Sequence, residues 1–571
     1  MTSSRDGKDK PLRRLLQRLR PTWTQTPGRR LAQALCLIVF LALFFYWSWP
    51  HRSDSTSVNV SGSAPVEIFL TLDPLVAIST ALAARTMVWS LTAAVVVLAI
   101  GVVFPRWFCG YVCPLGTLID VWDWGIGRRI ERFRLTEKGW WVNLRFFFLV
   151  GILAAATLGV LLSGFVAAIP VVTRGMLYVF APLQVGLLRG WDYVPSLNAG
   201  QYVSIVLFLA VLGLSLLRPR FWCAYLCPSG ALLSVASLLS PTRRQVDSTC
   251  TQCGRCLRVC SFDAIAPDYS TYLSRCATCK NCQSICPQQS IQFVRRWGRR
   301  TQDAALPAPA AEPAYTRRGF FLGLIGATGA GIGVATGLAR EREDHAGSYP
   351  VRPPGSVPEA RFRRQCIRCG QCMKVCPSNV LQPAGFEQGL DGLWTPTVTA
   401  DFAGCEPSCN NCGQVCPTGA IRKLPLAEKR AARLGLAVID TNTCLPHCGK
   451  EACGWCFSAC AAAGYHAIEY VRVAIEYDNR GAPIAGSGFL APVVLEDKCV
   501  GCGLCQARCR AVNVTDKTLL RESAVKIMAG PDREDRIASG SYRELQKKRQ
   551  ERSKPHQVEA TENEYLPDFL R

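Results

Sequence analysis

The sequence predicts a multi-domain protein, with a polytopic α-helical membrane domain followed by small, cysteine-rich α+β domains. Three observations lead to this fold class. Hydrophobic residues make up 49% of the chain and charged residues only 19%, apolar stretches alternate with loops of unequal charge, and many of the thirty cysteines recur at one spacing. A length of 571 residues leaves room for several domains.

Five apolar stretches are long enough to be considered as membrane spans. Lys and Arg are frequent before the first stretch, between the second and third, and after the fourth, and are rare in the other loops. By the positive-inside rule, this alternation places the N-terminus and the region after the fourth stretch in the cytoplasm of a multi-pass bacterial inner-membrane protein. The net charge of +23 is explained by basic residues that orient the chain in membrane lipid. No nucleic-acid partner is expected. The stretches run approximately over residues 31–49, 87–104, 146–164, 202–217 and 319–338.

The second and fourth stretches end in near-copies of the motif P-R-aromatic-aromatic-C-x-Y-x-C-P-x-G-x-L, at residues 105–118 and 219–232. The copies predict a parallel repeat within a membrane domain of four spans over residues 1–240. Their four thiols are expected at one membrane surface, where they could share a metal centre or act as redox-active pairs. The alternative is a packing motif with buried cysteines, but the duplicated spacing favours the redox or metal role. The candidate catalytic residues are Cys109, Cys113, Cys223 and Cys227.

Two other features of the membrane domain carry weaker signals. Residues 175–188 are apolar but short and contain a proline, so we expect an interfacial or re-entrant segment. This segment could help to form a quinone pocket, although a simple amphipathic surface helix is the plainer interpretation. Cys36, alone in the first stretch, is interpreted as a small apolar residue.

Twenty-four further cysteines form six compact groups. Four groups keep the spacing C-x2-C-x2-C-x3-C, in which three thiolates close around one cubane cluster and the fourth reaches a neighbouring cluster. Neighbouring thiols in such a group are poorly placed for disulfides, and zinc knuckles separate their cysteine pairs by a longer loop. The groups therefore predict about six [4Fe–4S] clusters and an electron-transfer function. None of the five histidines lies in an apolar stretch, so no haem is expected in the membrane.

The first two groups lie in residues 241–300 and predict a cytoplasmic two-cluster domain of the α+β bacterial ferredoxin-like type. By that pattern, Cys286 completes the first cluster and Cys260 the second. Residues 301–315 are expected as an Ala/Pro-rich linker, and residues 316–340 as a fifth span or a twin-arginine signal anchor. The predicted ligands of this domain are Cys250, Cys253, Cys256, Cys260, Cys276, Cys279, Cys282 and Cys286.

The other four groups lie in residues 350–530, which are expected on the periplasmic side as a four-cluster ferredoxin-like domain. The third of them holds five thiols where four are needed. Either Cys444 or Cys448 completes it, and Cys444 is favoured. Sequential and nested pairing of the groups both remain open. The predicted ligands are Cys366, Cys369, Cys372, Cys376, Cys405, Cys409, Cys412, Cys416, Cys444, Cys453, Cys456, Cys460, Cys499, Cys502, Cys505 and Cys509.

Two further expectations concern the same region. Short Val/Ile-rich segments between the groups predict small strands, for example at Ala437–Ile439 and Val493–Leu495. Residues 531–571 are expected as a charged tail, which is mobile after about Gly540.

Together these motifs resemble a known pair of families. Residues 1 to about 300, with four spans, two C-x3-C-P motifs and two cluster groups, look like the NapH/MauN type of membrane ferredoxin. Residues 316–530 look like the NapG/MauM type of exported ferredoxin, and RPPGSVPEARFRRQCIRCGQCMKVCP, from Arg352, is especially similar to that type's first motif. The fusion of the two types, and Arg510 where a proline would follow the last group, depart from these families.

The resemblance implies a membrane module that oxidises quinol from the quinone pool and passes electrons through the exported clusters to a periplasmic reductase or cytochrome. A membrane-bound reductant or redox sensor for metalloenzyme maturation is the alternative, and a structural zinc scaffold is a third. On the first interpretation, a hydrocarbon core about 30 Å thick separates the two cluster regions. Either the quinone moves charge between the faces, or the spans bury a further centre.

Overall fold

The computed structural model describes residues 27–51, 65–88, 91–127, 140–295, 317–344, 349–480, 484 and 487–553. The predicted linker at 301–315 lies outside the described residues, as do both ends of the chain. The described part comprises a helical unit, a first cysteine-rich unit, a long helix and a larger cysteine-rich unit. The helices of the helical unit are α1 Pro27–Leu41, α2 Ile68–Thr71, α3 Pro74–Ala84, α4 Ala93–Val103, α5 Pro114–Trp122, α6 Leu144–Thr157, α7 Ser163–Val166, α8 Ala168–Val179, α9 Ala181–Arg189, α10 Ala199–Gly213 and α11 Pro228–Ser237.

The lengths of the apolar helices differ in part from the expected spans. The first, fourth and fifth expected stretches form helices long enough to cross a membrane, whereas the second and third form the shorter helices α4 and α6, of 11 and 14 residues. A further long apolar helical segment combines α8 with α9. Within the described residues, the candidate spans are Gly28–Trp47, Ala168–Arg189, Ala199–Leu216 and Arg318–Glu341.

The helices α8 and α9 contain the segment at 175–188. The expectation of a simple surface helix is wrong for α8, because its residues are buried from Ala168 to Tyr178. The reason is that the larger cysteine-rich unit covers the face that would otherwise be exposed. Arg174 in α8 donates to the Arg368 carbonyl, and Arg189 at the end of α9 donates to the Pro377 carbonyl. The two helices therefore lie along this unit.

The long helix α14, Arg317–Asp344, packs against α6 through small residues. A Cβ atom on Gly331 would lie only 2.3 Å from the Gly151 carbonyl oxygen, and one on Gly323 only 2.5 Å from the Phe147 ring. Such close approach between apolar helices requires glycine. Gly323 and Gly331 of the signal-like run thus serve helix packing in this structure.

The first cysteine-rich unit is a two-stranded antiparallel sheet with short helices. Strands β1 Thr242–Val246 and β2 Ile291–Arg295 pair along their whole length and bring both ends of the unit together. Helices α12 Arg255–Val259 and α13 Asn281–Ser284 lie between them in sequence, one within each cysteine group.

The larger cysteine-rich unit repeats this scheme with three two-stranded antiparallel sheets, β3–β4, β5–β8 and β6–β7. The strands expected at Ala437–Ile439 and Val493–Leu495 are present as β5 and β7. The elements are α15 Glu359–Gln365, α16 Gln371–Lys374, β3 Leu381–Pro383, α17 Gly389–Gly392, β4 Pro396–Val398, α18 Asn411–Gln414, α19 Leu426–Ala431, β5 Leu436–Ile439, α20 Trp455–Ala462, β6 Ile468–Val473, β7 Phe489–Val494, α21 Leu504–Cys509, β8 Val525–Met528 and α22 Tyr542–Ser553.

The expectation of a mobile tail after about Gly540 is wrong for the helix α22, Tyr542–Ser553. Tyr542 at the start of α22 is fully buried, and its backbone N–H donates to the Glu428 carboxylate over 2.7 Å. Arg536 forms an ion pair with Glu359 at 2.6 Å. This charged segment is held because its charges meet opposite charges on the cluster unit, a complementarity that composition does not reveal.

The two cysteine-rich units lie at opposite ends of the first helix. At its N-terminal end, the Arg29 guanidinium lies 5.4 Å from the ring centroid of Phe262 in the first unit. Beyond its C-terminal end, Ser48 accepts a hydrogen bond of 2.9 Å from Gln371 in the larger unit. The 20 helical residues Gly28–Trp47 between these contacts span about 30 Å.

Candidate redox centres

In the first cysteine-rich unit, Cys260 joins the second cysteine group. Its thiol and that of Cys276 lie within electrostatic range of each other and of Cys279 and Cys282. This is the exchange of the fourth thiol that the spacing predicted. Cys286 packs at the same apolar cluster as the first group, and its place with that group stays a prediction. We define set 1 as Cys250, Cys253, Cys256 and Cys286, and set 2 as Cys260, Cys276, Cys279 and Cys282.

The larger unit pairs its first and second groups in the same manner. Cys366, Cys369 and Cys372 lie within electrostatic range of Cys416, the last thiol of the next group. The Cys376 thiol lies within electrostatic range of the first three thiols of that second group. We define set 3 as Cys366, Cys369, Cys372 and Cys416, and set 4 as Cys376, Cys405, Cys409 and Cys412.

The third and fourth groups are also paired with each other, so the pairing is sequential and not nested. The Cys509 thiol lies within electrostatic range of the third group, and the Cys460 thiol within range of the fourth. Cys444 lies within electrostatic range of Cys453, Cys509 and Cys448, whereas the Cys448 thiol donates to the carbonyls of Thr441 and Asn442. These hydrogen bonds favour Cys444 as the ligand, and the assignment of Cys448 as the surplus thiol stays a prediction. We define set 5 as Cys444, Cys453, Cys456 and Cys509, and set 6 as Cys460, Cys499, Cys502 and Cys505.

The chemistry of these sets fits iron–sulfur clusters. Burial raises the pKa of the Cys369, Cys409 and Cys502 thiols to about 12, so they need a metal cation to become thiolates near neutral pH. Backbone N–H groups donate to several ligand sulfurs, for example that of Ala467 to the Cys460 sulfur over 3.2 Å, as they do around bound clusters. Among the described residues, no three metal-binding side chains close on a single ion position.

The four sets of the larger unit follow one another in space in the order 3, 4, 6, 5. Sets 3 and 4 adjoin where Cys372 lies within range of Cys412. Sets 4 and 6 meet where the Cys405 N–H donates to the Cys502 carbonyl over 2.7 Å. Sets 6 and 5 adjoin through Cys505. This spatial order differs from the sequence order of the groups, and their spacing does not reveal it.

Set 3 lies directly against the helical unit. The Arg174 side chain of α8 donates to the Arg368 carbonyl over 2.8 Å, and a Cβ atom on Gly370 would lie 2.6 Å from the Leu177 side chain. Arg174 also stacks on Trp394, with 4.1 Å from its guanidinium carbon to the ring centroid. Arg368 and Gly370 both lie within the first cysteine motif of the larger unit. This motif therefore also forms the surface that contacts the helical unit.

A small cavity of about 60 Å³ lies beside this junction, between α8–α9 and the chain of sets 3 and 4. Its wall includes Leu177 and Ala181, with Gln201 among the polar groups. A second cavity of about 40 Å³ shares Leu177 and Ala181 and extends to His51 and to Cys376 of set 4. Both are smaller than typical sites for drug-sized molecules, which enclose roughly 300–1,000 Å³.

The duplicated motif brings its four cysteines together at the other end of the helical unit. The Cys227 thiol lies within electrostatic range of Cys109, Cys113 and Cys223. Cys109 and Cys223 occupy equivalent π-helical turns, Phe108–Val112 and Trp222–Leu226, and Cys113 and Cys227 cap the helices α5 and α11. The two copies thus supply two thiols each to one place.

Two buried arginines hold the copies together reciprocally. Arg106 of the first copy donates to the Cys223 carbonyl of the second over 2.8 Å, and Arg220 of the second donates to the Cys109 carbonyl of the first over 2.8 Å. Sequence reasoning assigned the arginine of the motif no role beyond its place in the repeat. Its occurrence at the same position of both copies was the available signal.

The partners of these arginines are not symmetric. Arg220 forms two hydrogen bonds of 2.9 and 3.0 Å with Asp120, which also pairs with Arg30. Ser234 stands at the equivalent position of the second copy, 114 residues later. Within the described residues, Arg106 has no carboxylate in ion-pair distance, and its Nε is buried without a hydrogen-bond partner.

Comparison with protein-family models supports both halves of this description. A model described as a 4Fe-4S binding domain matches residues 86–134 and 201–245, the two copies of the membrane motif. A model described as a 4Fe-4S dicluster domain matches residues 365–420, the segment that holds sets 3 and 4. No solved structure matches the chain significantly.

Curated relatives cover different parts of the chain. The ferredoxin-type protein NapG of Escherichia coli (strain K12) is 33% identical over 224 residues, which are 38% of this chain and 88% of the relative. The ferredoxin-type protein NapH of Haemophilus influenzae is 30% identical over 286 residues, 47% of this chain and 89% of the relative. The chain belongs to the NapH and NapG families, joined in one polypeptide. The methylamine utilization ferredoxin-type protein MauM of Methylophilus methylotrophus is 33% identical over 184 residues, 31% of this chain and 70% of the relative.

Proposed function

We propose that this NapH–NapG fusion oxidises quinol in the membrane and passes the electrons singly through sets 3, 4, 6 and 5 to a periplasmic acceptor. The observation that carries the proposal is the unbroken order of these sets, which begins against the helical unit and leads away from it. Each set supplies four thiols to a [4Fe–4S] cluster of the bacterial-ferredoxin type, and such clusters carry one electron at a time. Sets 1 and 2 hold two further clusters, which gives six.

We place the quinol at the two small, adjoining cavities beside sets 3 and 4, which must widen to admit its ring. Apolar side chains such as Leu177 and Ala181 suit the ring and tail, and polar ones such as Gln201 suit the hydroxyl groups. Leu187 and Leu188 of α9 remain exposed on the outer surface beside these cavities, where a lipid-soluble molecule would enter. Quinol oxidation at this place releases two electrons and two protons, and the electrons enter the chain of sets without crossing the bilayer.

The proposed topology places the chain in the bacterial inner membrane, with sets 1 and 2 in the cytoplasm and sets 3 to 6 in the periplasm. The alternation of Lys and Arg between the apolar stretches supports this orientation. The two cysteine-rich units also lie at opposite ends of a helix about 30 Å long, which is the thickness of the hydrocarbon core. Protease added to sealed, right-side-out vesicles should cleave the larger unit and leave the first unit intact.

The acceptor is proposed to dock beside set 5, at the far end of the chain of sets. Trp455, which is 37% exposed, immediately precedes Cys456 of that set. A periplasmic reductase or cytochrome that receives electrons there would complete the path from the membrane.

The test is anaerobic addition of a short-chain ubiquinol and a short-chain menaquinol to the full chain in lipid nanodiscs. Bleaching of the cluster absorbance is expected with at least one of them. Ala181→Phe, which fills both cavities, should slow this bleaching at least tenfold, whereas Leu187→Phe on the exposed face of α9 should not. Dithionite should reduce all variants equally if their clusters are intact. Clusters that stay oxidised with both quinols would refute the proposal.

A further inference from the structure

We propose that a small acidic electron-carrier protein docks on the first cysteine-rich unit, beside Cys253, and donates single electrons to set 1. Sets 1 and 2 take no part in the path from quinol through sets 3, 4, 6 and 5, so the carrier is a second source of electrons. The proposal rests on the cluster that the proposed function assigns to set 1, but not on quinol as the donor to set 3.

Cys253 is an exposed ligand of set 1. All thirty cysteines lie within the described residues, and Cys253 alone among them is exposed, whereas the others are buried or half-buried. Electrons pass between two proteins only where a redox centre comes close to the surface, because the transfer rate falls steeply with distance. Set 1 therefore offers a soluble carrier the closest approach to a ligand sulfur.

The loop that follows Cys253 is open on its outer side. Gly254 and Gly370 occupy the same position in their cysteine groups, and both have positive φ angles, of 70° and 78°. A Cβ atom on Gly370 would lie 2.6 Å from the Leu177 side chain, whereas one on Gly254 would meet no atom of the described chain within 4 Å. The helical unit thus covers set 3 at this position, and the corresponding face of set 1 is open in the described structure.

The surface around this opening is basic. Arg255 and Arg258 are both exposed, and they share one face of α12 because they lie three residues apart. Lys280 and Arg295 are exposed as well, whereas Asp268 is the only exposed acidic residue of the first unit, residues 242–295. A surface with this charge attracts an acidic partner and accelerates its encounter with the unit.

Anionic lipid headgroups would also attract basic side chains, but the unit meets the helical unit beside set 2. Phe262, just after a ligand of set 2, lies under the guanidinium groups of Arg106 and Arg220, at 5.7 and 4.4 Å. A Cβ atom on Gly110 would lie 3.6 Å from Ala277, which follows another ligand of set 2. The exposed thiol and its basic neighbours belong to set 1. A soluble carrier therefore fits this surface better than the bilayer does.

Electrons that enter at set 1 can continue to set 2. The Cys256 thiol of set 1 and the Cys282 thiol of set 2 lie within electrostatic range of each other, and Arg244 lies within range of both. In each transfer the carrier loses one electron and the cluster of set 1 gains it, with no proton moved and no bond formed or broken. Set 2 then receives the electron at the side of the unit that contacts the helical unit.

The experiment mixes the full chain in lipid nanodiscs with fully reduced flavodoxin, a small acidic protein that turns blue when it loses one electron. The second-order rate constant of this colour change is measured at several salt concentrations. It should fall as the salt concentration rises, because salt screens the attraction between opposite charges. Arg255→Glu/Arg258→Glu should lower it roughly tenfold at low salt. Arg255→Lys/Arg258→Lys, which keeps both charges, should leave it close to the wild-type value.

Arg480→Glu, at an exposed basic residue of the larger unit, is the control and should leave the rate constant unchanged. If Arg255→Glu/Arg258→Glu has no effect, or has one only in discs that contain anionic lipid, the two arginines serve the bilayer and the proposal is overturned. Quinol-driven bleaching should be the same in all variants, since quinol donates to set 3. A cluster in set 1 that dithionite reduces and flavodoxin does not would overturn this proposal and leave the proposed function standing.

Discussion

Arg106 donates a hydrogen bond to the Cys223 carbonyl over 2.8 Å. Arg220, its counterpart in the other copy of the motif, donates to the Cys109 carbonyl over 2.8 Å. Both arginines have backbone φ angles near 50°, a left-handed conformation that is uncommon outside glycine. Such a conformation persists only where the surrounding structure fixes it. The repeat is therefore held by matched, strained positions that place four thiols together.

Substitution of Arg106 should weaken the junction between the two copies of the motif. Arg106→Met leaves the buried Cys223 carbonyl without its donor, which should lower the free energy of unfolding by about 1–3 kcal/mol. Arg85→Met, at an exposed site, is the control and should lower it by less than about 0.5 kcal/mol. Equal unfolding transitions in both variants would contradict this role of Arg106.

Replacement of the two candidate thiols in the third group should have unequal effects. Cys444→Ser removes a thiol that faces Cys453 and Cys509 and should cost the iron of one cluster, about four atoms per chain. Cys448→Ser removes only hydrogen bonds to backbone carbonyls and should cost none. Iron analysis of the two purified variants decides the assignment, and the opposite pattern would reverse it.

Asn513 should tune the reduction potential of set 5. Its side-chain amide donates to the sulfurs of Cys453 and Cys509, both at 3.6 Å. Hydrogen bonds to cluster sulfurs favour the reduced, more negative state. A net hydrogen bond is worth about 1 kcal/mol, and 59 mV corresponds to about 1.4 kcal/mol for one electron. Asn513→Leu should therefore lower that potential by about 40–80 mV in an EPR-monitored titration, with the potential of set 3 unchanged.

Acid should weaken the larger unit through Glu359. Burial alone would raise the pKa of this carboxyl group, but Arg352, Arg536 and Arg363 outweigh it and hold the pKa well below its usual range. A lowered folded-state pKa contributes stability at higher pH, and that contribution is lost as the pH falls below the ordinary value of about 4.3. Urea-induced cluster bleaching should thus become easier between about pH 5 and pH 3.

The matched variants separate this carboxyl group from general acid effects. Glu359→Gln leaves the fully buried Arg352 without its partner and should lower the free energy of unfolding at pH 7 by about 3 kcal/mol. It should also flatten the pH dependence. Glu522→Gln, which breaks an exposed pair with Lys526, should change the free energy of unfolding by no more than about 0.5 kcal/mol. It should leave the pH dependence as in the wild type. An unchanged pH profile in Glu359→Gln would show that other groups govern acid sensitivity.

The sequence located the thiols well because metal ligation imposes fixed spacing on a short stretch of chain. It also located β5 and β7, since their Val/Ile content is a local signal. The pairing of the four cysteine groups in the larger unit was out of reach because it depends on long-range strand pairing. For example, Leu436 in β5 pairs with Met528 in β8, which encloses the third and fourth groups in one module.

The differences at α8 and α22 have a common physical cause. The exposure of α8 and the mobility of α22 were predicted from the composition of each segment. Each helix, however, packs against residues far away in the sequence. Tyr542 is buried against Glu428, and Arg174 against Arg368. The partner surface, and not the segment itself, decides whether such a segment is exposed. The same holds for the order of sets, which the contact between Cys405 and Cys502 determines.

The most direct measurement of the proposed function interrupts the chain of sets in its middle. Cys502→Ser removes a thiol from set 6, and the full-length variant in nanodiscs is then reduced with quinol and freeze-quenched for EPR. The proposed order predicts that sets 3 and 4 become reduced at the wild-type rate while set 5 stays oxidised, and that Cys448→Ser behaves like the wild type. Reduction of set 5 at the wild-type rate in Cys502→Ser would contradict the electron path.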